Sequence, residues 1–130
     1  MKVTTSLAAA AATAAVLSFA GPALAEGDPA AGEQVFRKCA ACHTVNEGGA
    51  ARVGPNLWGI YGSQAGSNED FAPRYSQGLR NADFVWNAET MTPYLINPRE
   101  IIQGSRMTFQ LRNEQEVADV IAYLRTLSDG

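Results

Sequence analysis

Five consecutive residues, Cys39-Ala40-Ala41-Cys42-His43, hold the chain's two cysteines and its one histidine. Thiols three positions apart lie about one helical turn apart on one face, so both can reach the same edge of a flat group. The adjoining imidazole can then swing beneath that group toward a metal. Cys-x-x-Cys-His is the attachment signature for c-type haem: two thiols bond the porphyrin edge and the imidazole reaches iron. Rival readings need more than the chain supplies. A zinc site takes four ligands in structural use, or three plus water in catalysis, and this crowded run offers three at most. A thioredoxin-like dithiol belongs to a strand–helix–strand pattern, which the sequence around residue 39 lacks. A plain disulfide is open to Cys39 and Cys42 in an oxidising compartment. Covalent haem is the reading that uses all three side chains.

With His43 on one side of an iron, the opposite position falls to water, Met, Lys or Tyr, because the chain has no second histidine. Beyond residue 25 the methionines are Met91 and Met107. Met107 lies in Gly104-Ser105-Arg106-Met107-Thr108-Phe109, an irregular stretch past an expected helix end, where a thioether can be presented to the ring. Met91 falls at helical spacing with Leu95 and suits a core position. The expected axial pair is therefore His43 and Met107. It saturates the iron, and thioether sulfur favours the ferrous state relative to two imidazoles. A closed centre of this kind suits one-electron transfer.

The flanking sequence must position these groups. Residues 1–25 read as a cleaved secretory signal peptide: Lys2 gives a basic start, Leu7 to Ala20 form an apolar run, and Ala23-Leu24-Ala25 has the small-x-small form of a cleavage site. The run is 14 residues, short of the ~20 that span a bilayer, and Gly21-Pro22 breaks it. Residues 26–130 form one domain. Cleavage removes one lysine and no acid, so nine Lys/Arg face thirteen Asp/Glu, a net −4. Nucleic acid is a poor partner for such a surface.

The periodicity predicts an all-α fold. Asp28 and Pro29 open a first helix, with Gly32, Val35, Phe36 and Cys39 on one face and the helix running into the haem motif. Residues 44–86 read as irregular and glycine-rich, packing on the ring through Leu57, Trp58, Ile60 and Tyr61. Asn87 caps a short helix carrying Met91, Tyr94 and Leu95, which Pro93 should kink or delay. Asn97-Pro98-Arg99-Glu100 opens another with Ile101 and Ile102, stopped by Gly104. Asn113 caps the last helix, whose stripe is Val117, Val120, Ile121, Leu124 and Leu127, with Asp119 and Arg125 on other faces. Gly32 should let the first and last helices approach against Tyr123 or Val120.

Several motifs recur together, in order and at familiar spacing. They are Gly-x-x-Val-Phe before Cys39, Cys-Ala-Ala-Cys-His-Thr-Val, Val53-Gly54-Pro55-Asn56-Leu57, Tyr75, Trp86 and Tyr94-Leu95-x-Asn97-Pro98. Gly104-Ser105-Arg106-Met107-Thr108-Phe109 and Ala118-Asp119-Val120-Ile121-Ala122-Tyr123-Leu124 follow. From Gly27 to about Leu127 the chain resembles class I c-type cytochromes, the bacterial cytochrome c₂ and mitochondrial cytochrome c group. The resemblance implies four or five short helices and long loops wrapped around one haem c, held covalently through Cys39 and Cys42. It implies that the Pro55 carbonyl accepts from the non-ligating nitrogen of His43. It also implies that Tyr75 and Trp86 donate to a haem propionate, which is costly to bury unpaired, and that Tyr94 and Ser105 stand beside the Met107 sulfur. The chain departs from the usual pattern at three positions. Ser63 replaces an arginine beside the propionate, a change that tends to lower the potential. Leu79 stands where many members carry an asparagine, and Gln103 where proline is usual.

The function implied is a periplasmic electron carrier, a monomer rather than an enzyme. Quinol–cytochrome reductase, a photosynthetic reaction centre, a terminal oxidase and a periplasmic dehydrogenase are all open as partners. Lys38, Arg52, Arg99 and Arg106 flank the haem-approaching motifs and make the expected partner face. The early and late acids, Glu26, Asp28, Glu33, Glu114, Glu116 and Asp119, are expected elsewhere on the surface. Two other functions fit the same motif: a ligand-binding or peroxidase-like haem with a labile Met107, and the dedicated electron-accepting subunit of one dehydrogenase.

Overall fold

Asp28 caps the first helix. Its carboxylate accepts from the Ala30 N–H at 2.9 Å, and Pro29 takes the first helical position of α1 (Pro29–Phe36), where its missing N–H costs nothing. The computed structural model describes residues 1–16 and 26–128. Residues 1–16 are exposed and carry no regular secondary structure. The rest of the expected signal sequence, with the cleavage site at residues 23–25, lies outside the described residues. Among those described, no helix is long and apolar enough to cross a membrane.

Among the described residues, five α-helices and one 3₁₀ turn stand in order: α1, the 3₁₀ turn Glu69–Arg74, α2 (Gln77–Arg80), α3 (Ala88–Ile96), α4 (Pro98–Ile101) and α5 (Glu114–Arg125). Among the described residues the only β pairing is an isolated antiparallel bridge between Gln64 and Val85. The fold is all-α. Segment 44–86, expected to be irregular throughout, contains the 3₁₀ turn and α2. A local cap accounts for α2, since the Ser76 hydroxyl accepts from the Leu79 N–H and opens it.

Helices α1 and α5 form the frame. A Cβ built on Gly32 would sit 1.9 Å from the Asp119 carbonyl oxygen and 2.8 Å from Tyr123 Cβ. Gly27 approaches the Ala118 carbonyl equally closely. Only hydrogen at these two positions lets the backbones come this near. The contact falls on Asp119 and Tyr123, and Val120 instead enters the core at 1% exposure. Asp119 corrects the expected surface placement. It is 8% exposed, and its carboxylate accepts from the Asp28 N–H at 2.8 Å and the Gln115 amide at 3.0 Å. The acid ties the start of α1 to α5 and satisfies a donor that the helix start leaves unpaired. Lys38 and Glu116 pair at 2.7 Å further along the same crossing.

The core gathers Val35 and Phe36 of α1 with Val117, Val120, Ile121 and Leu124 of α5. Ala65, Trp86, Met91, Tyr94, Ile102 and Leu111 complete it. Met91 is 4% exposed and packs as an apolar filler. Helix α3 begins at Ala88 under a reciprocal cap, in which the Asn87 side chain accepts from the Thr90 N–H and the Thr90 hydroxyl accepts from the Asn87 N–H. It runs through Pro93 without delay, as this cap secures the first turn. Asn97, expected to cap α4, makes no side-chain cap bond. Its N–H closes α3 on the Pro93 carbonyl at 3.0 Å, and its side-chain oxygen is buried without a partner. One residue cannot shape the end of α3 and also turn its side chain back over α4. Asn113 does cap α5, accepting from the Gln115 and Glu116 N–H groups.

Because a Cβ at residue 32 would overlap backbone, Gly32→Ala should cost about 1–3 kcal/mol through enforced separation of the helices. Denaturant unfolding of the haem-loaded protein measures this; unchanged stability would refute the close crossing.

Candidate functional site

The sequence leads α1 into Cys39, but regular α-helix ends at Phe36. Hydrogen bonds then tighten to three-residue closures: Lys38 N–H to Val35 O at 3.0 Å, Cys39 N–H to Phe36 O at 2.7 Å, and Cys42 N–H to Cys39 O at 3.0 Å. Four-residue closure persists beside them, Ala40 N–H to Phe36 O at 3.0 Å, and Cys39 and Cys42, three positions apart, fall on one side of the turns. The His43 N–H closes on the Cys39 carbonyl as well, at 3.0 Å, which folds the histidine back toward the thiols. No disulfide joins the cysteines. Burial, with the neighbouring Cys42, pushes the Cys39 thiol up to about 11 against a smaller opposing pull from Lys38. A protonated, half-buried thiol is the reverse of the activated thiolate that a redox dithiol needs.

The imidazole is held by the loop at residues 54–56. His43 Nδ1 lies 2.8 Å from the Pro55 carbonyl oxygen. That acceptor makes Nδ1 the protonated nitrogen and leaves the Nε2 lone pair for a metal. Burial lowers the His43 pKa below its usual 6.5, with the Pro55 bond opposing, so the neutral, ligating form prevails at physiological pH. Gly54 lies flat against the ring: a Cβ there would meet His43 Cε1 at 2.3 Å and Nδ1 at 2.7 Å. The Gly54 N–H in turn bonds the Cys42 carbonyl at 2.8 Å. The sequence places Gly54 in a motif without giving it a role; a glycine beside the proline that receives the imidazole is the available signal.

Asn56 is a second residue that sequence reasoning missed. Its amide donates to the Thr44 hydroxyl at 2.8 Å and the Asn46 carbonyl at 2.9 Å, while its oxygen accepts from the Trp58 N–H at 2.8 Å. Every bonding group of a 9%-exposed amide is thereby used, and the loop after the motif closes around it. Asn56, Trp58, Gly59, Ile60, Ser63, Ser67 and Asn68 line one small polar niche. Tyr75 adjoins it through Asn68, whose N–H donates to the Tyr75 hydroxyl at 3.2 Å, while Trp86 is joined to Ser63 by its backbone N–H, which bonds the Ser63 carbonyl at 2.8 Å. Ser63 spends its hydroxyl on the Ile60 carbonyl at 2.7 Å. The niche carries neutral polar groups and no arginine.

Tyr94 is buried and tilts against Trp86, with ring centroids 4.8 Å apart. Burial raises its pKa, opposed by the Ser105 hydroxyl and reinforced by nearby Tyr75, so the phenol keeps its proton. Ser105 donates to the Met107 carbonyl at 3.0 Å and holds the turn that carries the thioether. Met107 is half-buried against the core cluster. Leu79 packs there too, whereas Gln103 is exposed with its carbonyl close to Gly78 of α2.

The expected partner face divides. Lys38 pairs with Glu116 at 2.7 Å, an acid expected elsewhere, and stays exposed at the surface. Arg52 donates to the Ala40 carbonyl at 2.9 Å and Arg106 to the Arg74 carbonyl at 2.7 Å. Arg99 is exposed on α4. Arg74, which sequence reasoning passed over, joins Arg52 to Arg106.

The donor set fits a covalently held haem: two unpaired thiols on one edge, a neutral imidazole with Nε2 unengaged, a thioether on another loop, and a polar niche for carboxylates. The family model for cytochrome c matches residues 29–128. The chain belongs to the cytochrome c family, and membership implies one haem c attached through Cys39 and Cys42. Cytochrome c of Theileria annulata is 48% identical over 105 residues, covering 79% of this chain and 89% of that one. Cytochrome c2 of Rhodospirillum rubrum is 41% identical over 125 residues, covering 88% and 91%. Among solved structures, cytochrome cH from Methylobacterium extorquens superposes with a TM-score of 0.67 at 33% identity, covering 77% of this chain and 99% of that one.

Gly54→Ala must push the imidazole off Pro55. Haem-loaded Gly54→Ala should lose about 2 kcal/mol or more of stability, with altered ferric histidine resonances in its nuclear magnetic resonance spectrum. A variant identical to the parent in both would remove Gly54 from the site.

Proposed function

We propose that this cytochrome c is an exported one-electron carrier whose iron is held between His43 and Met107. The observation that carries the reading is the oriented imidazole: Nδ1 bonded to Pro55 at 2.8 Å, Nε2 free, directly after two unpaired thiols. Haem c, when bound, supplies the one-electron iron couple. His43 offers a neutral nitrogen in a set orientation, and Pro55 keeps that orientation through both redox states. Met107 offers a soft thioether from a turn braced by Ser105. Tyr94, protonated beside Ser105, stands ready to donate toward that sulfur. Tyr75 and Trp86, with Ser63 in place of a cation, leave the propionates to neutral donors, which favours a lower potential than an arginine would. Residues 1–25 serve export to the periplasm and are removed after Ala25. Quinol–cytochrome reductase, a reaction centre, a terminal oxidase or a periplasmic dehydrogenase would exchange electrons with it transiently at a basic face of Arg52, Arg99 and Arg106.

Expressed with its leader and purified from the periplasm, the protein should begin at Glu26 by intact mass and show the far-red iron–methionine band when ferric. Met107→Ala should abolish the band and admit carbon monoxide to the reduced protein. A parent without the band that binds carbon monoxide readily at neutral pH would sink the carrier reading and favour a ligand-binding or peroxidase-like haem. For the basic face, Arg99→Glu should slow reduction by an acidic redox protein several-fold at low ionic strength and flatten its salt dependence. An unchanged rate would exclude Arg99 from docking.

A further inference from the structure

Three arginines form a strut between the loops proposed to carry the two iron ligands. Arg52 reaches from the loop before Gly54 to the Ala40 carbonyl, inside the cysteine motif, at 2.9 Å. Arg74 donates to the Arg52 carbonyl and lies 3.5 Å from the Val53 carbonyl. Arg106, the neighbour of Met107, donates to the Arg74 carbonyl at 2.7 Å. Among the described residues no carboxylate pairs with any of the three, and their hydrogen bonds go to backbone carbonyls. The central guanidinium is also held from below. It lies 4.6 Å over the Phe71 ring, and Phe71 is 7% exposed and packed edge-on against Tyr75 at 5.0 Å. A planar fork seated on a fixed aromatic face loses little entropy on bonding two carbonyls.

We propose that Arg74 is a positioning residue that couples the His43 side of the site to the Met107 side. Its side chain restrains residues 52 and 53, which lead directly into the Gly54-Pro55 surface that seats the imidazole. Its carbonyl anchors Arg106, one residue from the thioether. Loss of either link leaves the Met107 loop to Ser105 and the core packing alone, so an exogenous ligand displaces the thioether more readily. The two links act in series. Cutting one therefore disables the strut, and cutting the second adds little.

The inference rests on His43/Met107 ligation, so the parent is checked first for its far-red band; a parent without it fails that reading, independently of the strut. Imidazole is then titrated into ferric parent, Arg74→Ala, Arg106→Ala and the double variant, with Arg80→Ala as a control. Arg80 is exposed and makes no side-chain hydrogen bond among the described residues. Each single variant should bind imidazole about five- to tenfold tighter, the scale of one lost hydrogen bond of ordinary net worth, and the double variant no tighter than either single. Arg74→Lys, with one donor head, should recover part of the loss, and Arg80→Ala should match the parent. A lower unfolding temperature with parental imidazole affinity would make Arg74 merely structural and overturn the proposal. So would multiplicative effects in the double variant, which would mean independent links. If Arg74→Ala yields no haem-loaded protein, Arg74→Gln is titrated in its place: tighter imidazole binding supports the strut, and parental affinity overturns it.

Discussion

Helices α1 and α5 meet where glycine hydrogens face carbonyl oxygens, and the rest of the molecule is arranged from that crossing. Gly27 and Gly32 lie against Ala118, Asp119 and Tyr123 with no room for a methyl group. The buried Asp119 carboxylate holds the Asp28 N–H, at the start of α1, at the same place. Residues from the two ends of the fold thereby close on each other and set the position of Phe36. The cysteine motif begins three residues later on tightened turns. A crossing this close transmits its geometry to the motif because little flexible chain intervenes.

Between motif and final helix the chain has little regular structure, and its backbone groups must find partners another way. Side chains supply many of them. Asn56 closes the loop after the motif, Arg74 ties that loop to the 3₁₀ turn, and Ser105 braces the turn bearing Met107. Such bonds are individually modest. Their value lies in placement, since each holds a segment that carries or adjoins a site residue. The neutral niche beside Ser63 follows the same pattern: polarity without a permanent charge, in a protein whose expected docking surface is basic.

Local signals in the sequence translate well into local structure. Asp28-Pro29, the apolar stripe of α5 and the Asn113 cap are each written within a dozen residues, and each forms as written. The failures share one physical character. Asp119 reads as a surface acid on its own helix, and only the arrival of α1 makes it an internal tether. Asn97 carries a cap signature, yet the preceding helix ends on its backbone and takes the residue's geometry. Lys38 looks like a free cation until α5 brings Glu116 to it. Gly54 and Arg74 act through contacts with segments 11 to 32 positions away, a range over which periodicity and capping patterns carry no information.

By itself the sequence determined the chemistry on offer: two thiols and one imidazole in a single reach, a thioether past a helix end, no other histidine, and an all-α scaffold. These follow from residue type and near-neighbour spacing, which the covalent chain carries directly. Tertiary structure decided how closely Gly54 lies on the His43 ring, that Asp119 tethers α1 to α5, and which carbonyls the arginines reach. Those outcomes depend on groups brought together across loops, where close packing admits one arrangement and excludes the rest. Spacing along a chain states what can bond; only the packed chain states with what.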